Sequence, residues 1–136
     1  MSEPPPHRDP RIVDAVTAAL ARLGARCPAV EVAVVLTDDG FQIARHPTDA
    51  QGAGRLASMA SALQALGEAI ARELALGEQR HVLIDAAEGG VLLRRVEGWP
   101  FALVAVVAEG NLADALESID DVLDELATTL AASGAE

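Results

Sequence analysis

The sequence contains no lysine and no tyrosine, and its ten Lys-or-Arg positions are all arginine. Without lysine there is no phosphate-loop lysine, no Schiff base and no lysine general base, so several common routes to enzyme chemistry are closed. Cysteine is nearly absent as well. Cys27 stands alone, so no disulfide can form within the chain, and a reducing, cytoplasmic setting is expected. Cations are outnumbered by 21 acidic residues, leaving a net charge of −11 at pH 7. Nucleic acid binding rests on neutralising phosphates with Lys and Arg, and anionic membrane surfaces attract the same groups. Both are therefore excluded as expected partners. Long hydrophobic runs are missing too. The longest, Phe101 to Ala108, covers eight residues, whereas a membrane span needs about twenty. The opening Met-Ser-Glu-Pro-Pro-Pro lacks the basic and then apolar stretch of a signal peptide.

What the chain does have is material for a core: 51% of its 136 residues are hydrophobic, which suits one soluble domain. Residues 1–8 are polar and proline-rich and read as a disordered tail; residues 132–136 read as a short C-terminal tail, with the domain between them at 9–131. Asp9 and Pro10 signal a helix start, and Ile12, Val13, Val16, Ala19, Leu20 and Leu23 continue it at helical spacing until Gly24 supplies a stop. Val30 to Thr37 reads as a strand. Asp38-Asp39-Gly40 turns it into a second, Phe41 to His46.

After a loop from Pro47 to Gly54, a long helix is predicted over Arg55 to Leu76, with a bulky stripe of Leu56, Met59, Leu63, Leu66, Ile70 and Leu74. The same helix carries a small-residue surface that includes Ala57, Ala60, Ser61 and Ala65. Small residues let two backbones approach closely, although an alanine-rich face also follows from helix propensity alone. Three strands come next, Arg80 to Asp85, Val91 to Val96 and Phe101 to Ala108, with turns at Glu88-Gly89-Gly90 and Gly98-Trp99-Pro100. The last of them has no polar residue on either side, so it belongs in the middle of a sheet covered on both faces. Asn111 caps a final helix whose stripe is Leu112, Leu116, Ile119, Leu123, Leu126 and Leu130.

Candidate chemistry is thin. His7, His46 and His81 are not spaced for metal binding with one another, with Cys27 or with a carboxylate. Cys27 has no base near it in sequence and reads as a small buried hydrophobe. Gln-Gly-Ala-Gly-Arg (51–55) precedes a helix but lacks a phosphate-loop lysine, so its glycines read as a flexible lead-in. The acidic run on the final helix reads first as a solvated face and second as a dock for a basic partner. Arg94 and Arg95, adjacent on one strand, point to opposite faces. They and Trp99, at a hairpin tip, are candidate partner contacts. Trp99 alternatively folds over a helix end. No nucleophile, base and orienting group can be assembled, so neither an enzyme, a cofactor nor a metal is expected.

The ordered segments VVLTDDGFQIA (34–44), RLASMASALQALGEAIARELALG (55–77), HVLIDAAEGGVLLRRV (81–96) and GNLADALESIDDVLDEL (110–126) together resemble the Roadblock (dynein light chain) family, whose bacterial members include regulators of Ras-like small GTPases. The resemblance implies an α/β (α+β) sandwich in the order α-β-β-α-β-β-β-α. Its five-stranded antiparallel sheet would carry the middle helix on one face and the terminal helices on the other. It also implies a homodimer in which the third strand pairs with its symmetry mate and the middle helices meet. The expected interface is therefore Ala57, Ala60, Ser61 and Ala65 with His81, Val82, Leu83 and Ile84. An apolar edge of this kind is normally blunted or paired. The function implied is a non-catalytic regulatory protein that binds a Ras-like small GTPase in bacterial signalling, with or without an effect on its GTPase activity. The alternatives are a nucleotide-independent dimeric scaffold for other signalling proteins and a small-molecule sensor.

Overall fold

Asp9 accepts a hydrogen bond from the Arg11 backbone N–H at 3.0 Å and Pro10 fills the first helical position, which together start helix α1, Pro10–Arg26. The computed structural model describes residues 3–134, and the outermost residues of both expected tails, 1–2 and 135–136, lie outside that range. Within the N-terminal tail the structure differs from expectation. Pro6–Arg8 forms a 3-10 turn, and the His7 ring stacks on Phe41 with centroids 4.6 Å apart.

The elements that follow α1 are β1 (Val30–Thr37), β2 (Gln42–His46), α2 (Ala53–Glu73), β3 (His81–Ala86), β4 (Gly89–Arg95), β5 (Phe101–Ala108) and α3 (Leu112–Ala132). The sheet order is β2-β1-β5-β4-β3 with every neighbour antiparallel, so the all-apolar β5 is the central strand, as its composition requires. Strand alternation sorts the core into two layers. Val30, Ala33, Val35, Leu92, Phe101, Leu103, Ala105 and Val107 face α1 and α3, meeting Val16, Leu20, Leu23, Ile119, Leu126 and Leu130. Val34, Leu36, Leu93, Ala102 and Val104 face α2. Each fully buried Leu or Ile in these layers contributes roughly 1.5–3 kcal/mol of transfer free energy.

α1 runs through Gly24 rather than stopping there, and Cys27 lies buried just past its end. The glycine serves a close approach: a Cβ at position 24 would overlap the imidazole of His46 on β2. The β3–β4 turn also falls elsewhere than predicted. Ala86 pairs with Gly89, so Ala87-Glu88 is a two-residue turn and both glycines belong to β4. They are glycines because a Cβ on Gly89 would stand 2.9 Å from the Val107 carbonyl oxygen, and one on Gly90 would stand 2.8 Å from the Leu112 side chain. Asn111 does occupy the N-cap position of α3, but its side chain donates to the Glu109 carbonyl at 2.9 Å and caps nothing.

The main surprise is the orientation of α2. Ala53, Ala57, Ala60 and Gln64 recur at steps of four, three and four and are the buried residues of this helix. Their small side chains let the helix settle closely over Val34, Leu36, Ala102 and Val104. The bulky stripe is split: Leu56 and Leu63 stay half-buried against the same layer, while Met59, Leu66 and Ile70 are exposed. The expectation that Ala57 and Ala60 form an intermolecular surface is therefore overturned: both are sealed against the chain's own sheet.

Candidate functional site: an open sheet edge and the outer face of α2

A five-stranded open sheet has two edges, and this fold treats them differently. β2 is bent by an irregularity between its pairing with Val35 and Leu36, is followed by Pro47, and has α1 and the Pro6–Arg8 turn against it. Bulges, prolines and covering segments all blunt an edge. β3 has none of these. His81, Leu83, Ile84, Asp85 and Ala86 are exposed and Val82 is half-buried.

The exposed apolar surface is confined to a few elements. Among the described residues, every exposed large hydrophobic except Phe41 lies on α2, on the segment that follows it, or on β3. Met59 is 61% exposed, Leu66 59%, Ile70 50% and Leu74 61%, with Leu83 and Ile84 at 46% and 44%. Single exposed leucines are ordinary, but a concentration of them on one helix and one open edge strand marks candidate interaction surface. His81, Val82, Leu83 and Ile84 lie on this edge strand, where the sequence pattern puts them. Ala65 is exposed on α2, while Ser61 is half-buried and its hydroxyl donates to the Asp38 carbonyl at 3.1 Å. Met59, Leu66 and Ile70 escape a sequence reading as surface residues because a bulky apolar stripe normally marks the buried face.

Arg94 and Arg95 do point to opposite faces. The Arg94 Nε donates to Asp120 of α3 at 2.7 Å. Arg95 reaches Asp38 at 3.0 Å and Glu68 at 3.6 Å on the α2 side, and donates to the Trp99 carbonyl at 3.4 Å. Both guanidinium groups are thus engaged within the chain. Trp99 is not a protruding anchor: it is half-buried against the α1–α3 layer and stacks on Phe101 with centroids 5.8 Å apart. Between the end of α2 and the start of β3 lies an open groove of about 930 Å³, lined by Leu76, Glu78, Arg80, His81, Arg94 and Arg95, among others.

At the far side of the molecule Glu125 binds Arg26 through paired hydrogen bonds of 2.8 and 3.1 Å. Its carboxyl is held below its ordinary range first by that hydrogen bond, and the Arg26 guanidinium is correspondingly raised. No three of His, Cys, Asp and Glu gather among the described residues to hold a metal, and no described helix is long and apolar enough to cross a membrane.

A central apolar strand, helices on both faces and one unprotected edge define a small α/β module built around an open antiparallel sheet. The chain belongs to the Roadblock/LC7 domain family, whose pattern matches residues 9–108. The fold is similar to that of Myxococcus xanthus MglB, with a TM-score of 0.79 at 18% identity over 88% of this chain and 90% of that one. A structure of MglB with a tetrameric arrangement gives 0.74 at 17% identity, covering 95% and 93%. The gliding protein MglB from Thermus thermophilus gives 0.74 at 16% identity, again covering 95% and 93%. No curated protein sequence matches this one.

Proposed function

We propose that this protein is a non-catalytic, homodimeric, cytoplasmic regulator that binds a Ras-like small GTPase in bacterial signalling. The observation that carries the reading is the unprotected β3 edge together with the exposed outer face of α2 at Met59, Leu66 and Ile70. An edge strand with free backbone groups is satisfied when a second copy pairs with it, and the outward apolar stripe is then covered by its symmetry mate. The dimer interface of this reading is His81, Val82, Leu83 and Ile84 with Met59, Leu66 and Ile70, rather than with Ala57 and Ala60. The tetrameric arrangement of the MglB relative supports self-assembly, and the partner class is the one that the resemblance to the Roadblock family implies.

Binding of the GTPase follows its nucleotide. The chain, immobilised and exposed to extract of its native organism with GDP or with a non-hydrolysable GTP analogue, retains a small GTPase in one state only, identified by mass spectrometry. The purified pair then shows at least about tenfold different Kd between the two states, a coupling of about 1.4 kcal/mol. Equal affinity in both states sinks the regulatory reading and leaves a scaffold.

The groove beside β3 is the feature a small-molecule sensor would use, and its open, charged lining suits a polar ligand rather than an apolar one. A metabolite that binds there raises the melting temperature of the chain, since it stabilises the folded state alone. A panel without any such shift removes the sensor.

A further inference from the structure

We propose that β3 pairs with the β3 of a second copy in one register only, centred on Leu83, so that His81 lies opposite the partner's Asp85. This rests on the homodimer proposed above and goes beyond it by fixing which residues meet.

Ala86 and Gly89 flank the two-residue turn Ala87-Glu88. In such a hairpin the flanking residues form a hydrogen-bonded pair, and along an antiparallel ladder hydrogen-bonded pairs alternate with non-bonded ones. Ala86, Ile84 and Val82 therefore spend their backbone groups on Gly89, Val91 and Leu93. The Ile84 carbonyl oxygen does stand on the β4 side, 2.9 Å from where a Cβ on Gly90 would be. His81, Leu83 and Asp85 turn their N–H and C=O groups outward, to the open edge.

Symmetry narrows the rest. Two identical antiparallel strands related by a two-fold must centre on one residue that meets its own copy. Centring on Leu83 places His81, Leu83 and Asp85 opposite the partner's Asp85, the partner's Leu83 and the partner's His81, so every outward backbone group finds an outward mate. Centring on Val82 leaves Asp85 beyond the ladder, and centring on Ile84 leaves His81 beyond it.

Side chains select the same register. Directly opposite residues share a face, and matched apolar pairs or opposite charges stabilise a ladder. With Leu83 at the centre, leucine meets leucine, Val82 meets the partner's Ile84, and a histidine meets a carboxylate at each end. Centring on Ile84 sets Leu83 against the partner's Asp85, and centring on Val82 sets Ile84 against the partner's Arg80. The choice matters because each copy carries a net charge of −11, so two copies repel unless charge is locally complementary. Arg80 and His81 stand at one end of β3, Asp85 and Glu88 at the other. The antiparallel mate brings these ends together twice, and carries the partner's hairpin tip to the mouth of the groove that Glu78, Arg80 and Arg95 line.

Cysteine substitution reads the register directly. Leu83, Val82 and Ile84 are replaced by Cys one at a time in the full chain, with the wild type, whose Cys27 is buried, as control. Under mild oxidation Leu83→Cys forms a covalent dimer about tenfold faster than either neighbour, because only its Cα meets its own copy within disulfide reach. Val82→Cys and Ile84→Cys cross-link poorly alone but readily to each other when mixed. Light scattering on the same samples separates the two levels of the argument. A monomer near 14.1 kDa overturns the homodimer and the register with it. A dimer in which Ile84→Cys or Val82→Cys cross-links fastest with itself, or in which none of the three does, overturns the register and leaves the homodimer standing.

Discussion

Arg95 and Asp38 meet at 3.0 Å although one sits at the end of β4 and the other in the β1–β2 turn. The same guanidinium reaches Glu68 of α2 at 3.6 Å and the Trp99 carbonyl at 3.4 Å. One side chain thus ties two turns and a helix together across the α2 face of the sheet. Arg94, its neighbour, does the corresponding work on the opposite face through Asp120. Because both are partly solvent-exposed, Arg95→Ala is expected to cost only about 1 kcal/mol. It shifts the urea midpoint without changing the slope, which reflects exposed surface. Arg94→Ala acts on the other layer, so the two losses add within about 0.5 kcal/mol in the double variant. A large coupling between them contradicts the separation of the layers.

Gly24→Ala tests the contact with His46. In an ordinary exposed helix this change stabilises by about 1 kcal/mol. Here the new methyl group must displace the far end of the His46 imidazole, so the gain is reduced. In a His46→Ala background the space is vacated and the gain returns. Thermal melts of the four combinations decide it; an equal effect of Gly24→Ala in both backgrounds refutes the contact.

The two faces of α2 predict opposite phenotypes. Ala57→Leu forces a larger side chain between helix and sheet and should destabilise the fold by about 1–3 kcal/mol, visible in circular dichroism melts. Leu66→Asp, on the exposed face, should leave the melt nearly unchanged while weakening self-association measured by light scattering. If Leu66→Asp unfolds the chain and Ala57→Leu does not, the helix is oriented the other way.

Glu125 provides a pH signature. Its carboxyl is held below its ordinary range in the folded state, chiefly by the hydrogen bond from Arg26. A depressed carboxylate contributes stability that is present above its unfolded value and is lost as pH falls through the folded value. Glu125→Gln should therefore lower the urea midpoint at pH 7 and match the wild type once the medium is acidic enough to protonate both states. An equal difference at both pH values disproves the linkage.

Much of this architecture is legible in the sequence because particular segments admit one reading. Phe101 to Ala108 offers no polar residue to solvent, and it occupies the sheet's centre. α2 is harder, because both its faces are apolar. A transfer scale favours burying leucine and methionine, yet the close fit of alanines to the sheet decides the matter. Gly89 and Gly90 resemble a turn when only their neighbours in sequence are considered. The carbonyl of Val107 and the side chain of Leu112, which demand glycine there, belong to distant segments. The edge position of His81 to Ile84 is legible, but the helix residues beside them are assigned to the wrong face for the reason that misplaces α2.

The strand order carries a consequence for synthesis. Val34 of β1 pairs with Val104 of β5, half the chain away, and β5 must insert between β1 and β4 to complete the sheet. A nascent chain that has released only α1, the first hairpin and α2 has no central strand on which to seat them. The β1 edge that pairs with β5 then waits unpaired until translation passes Phe101, a long-range closure that slows folding and prolongs exposure of an open edge. Truncation anywhere before Ala108 is thus fatal to the whole domain, whereas the first hairpin gains nothing from being made early.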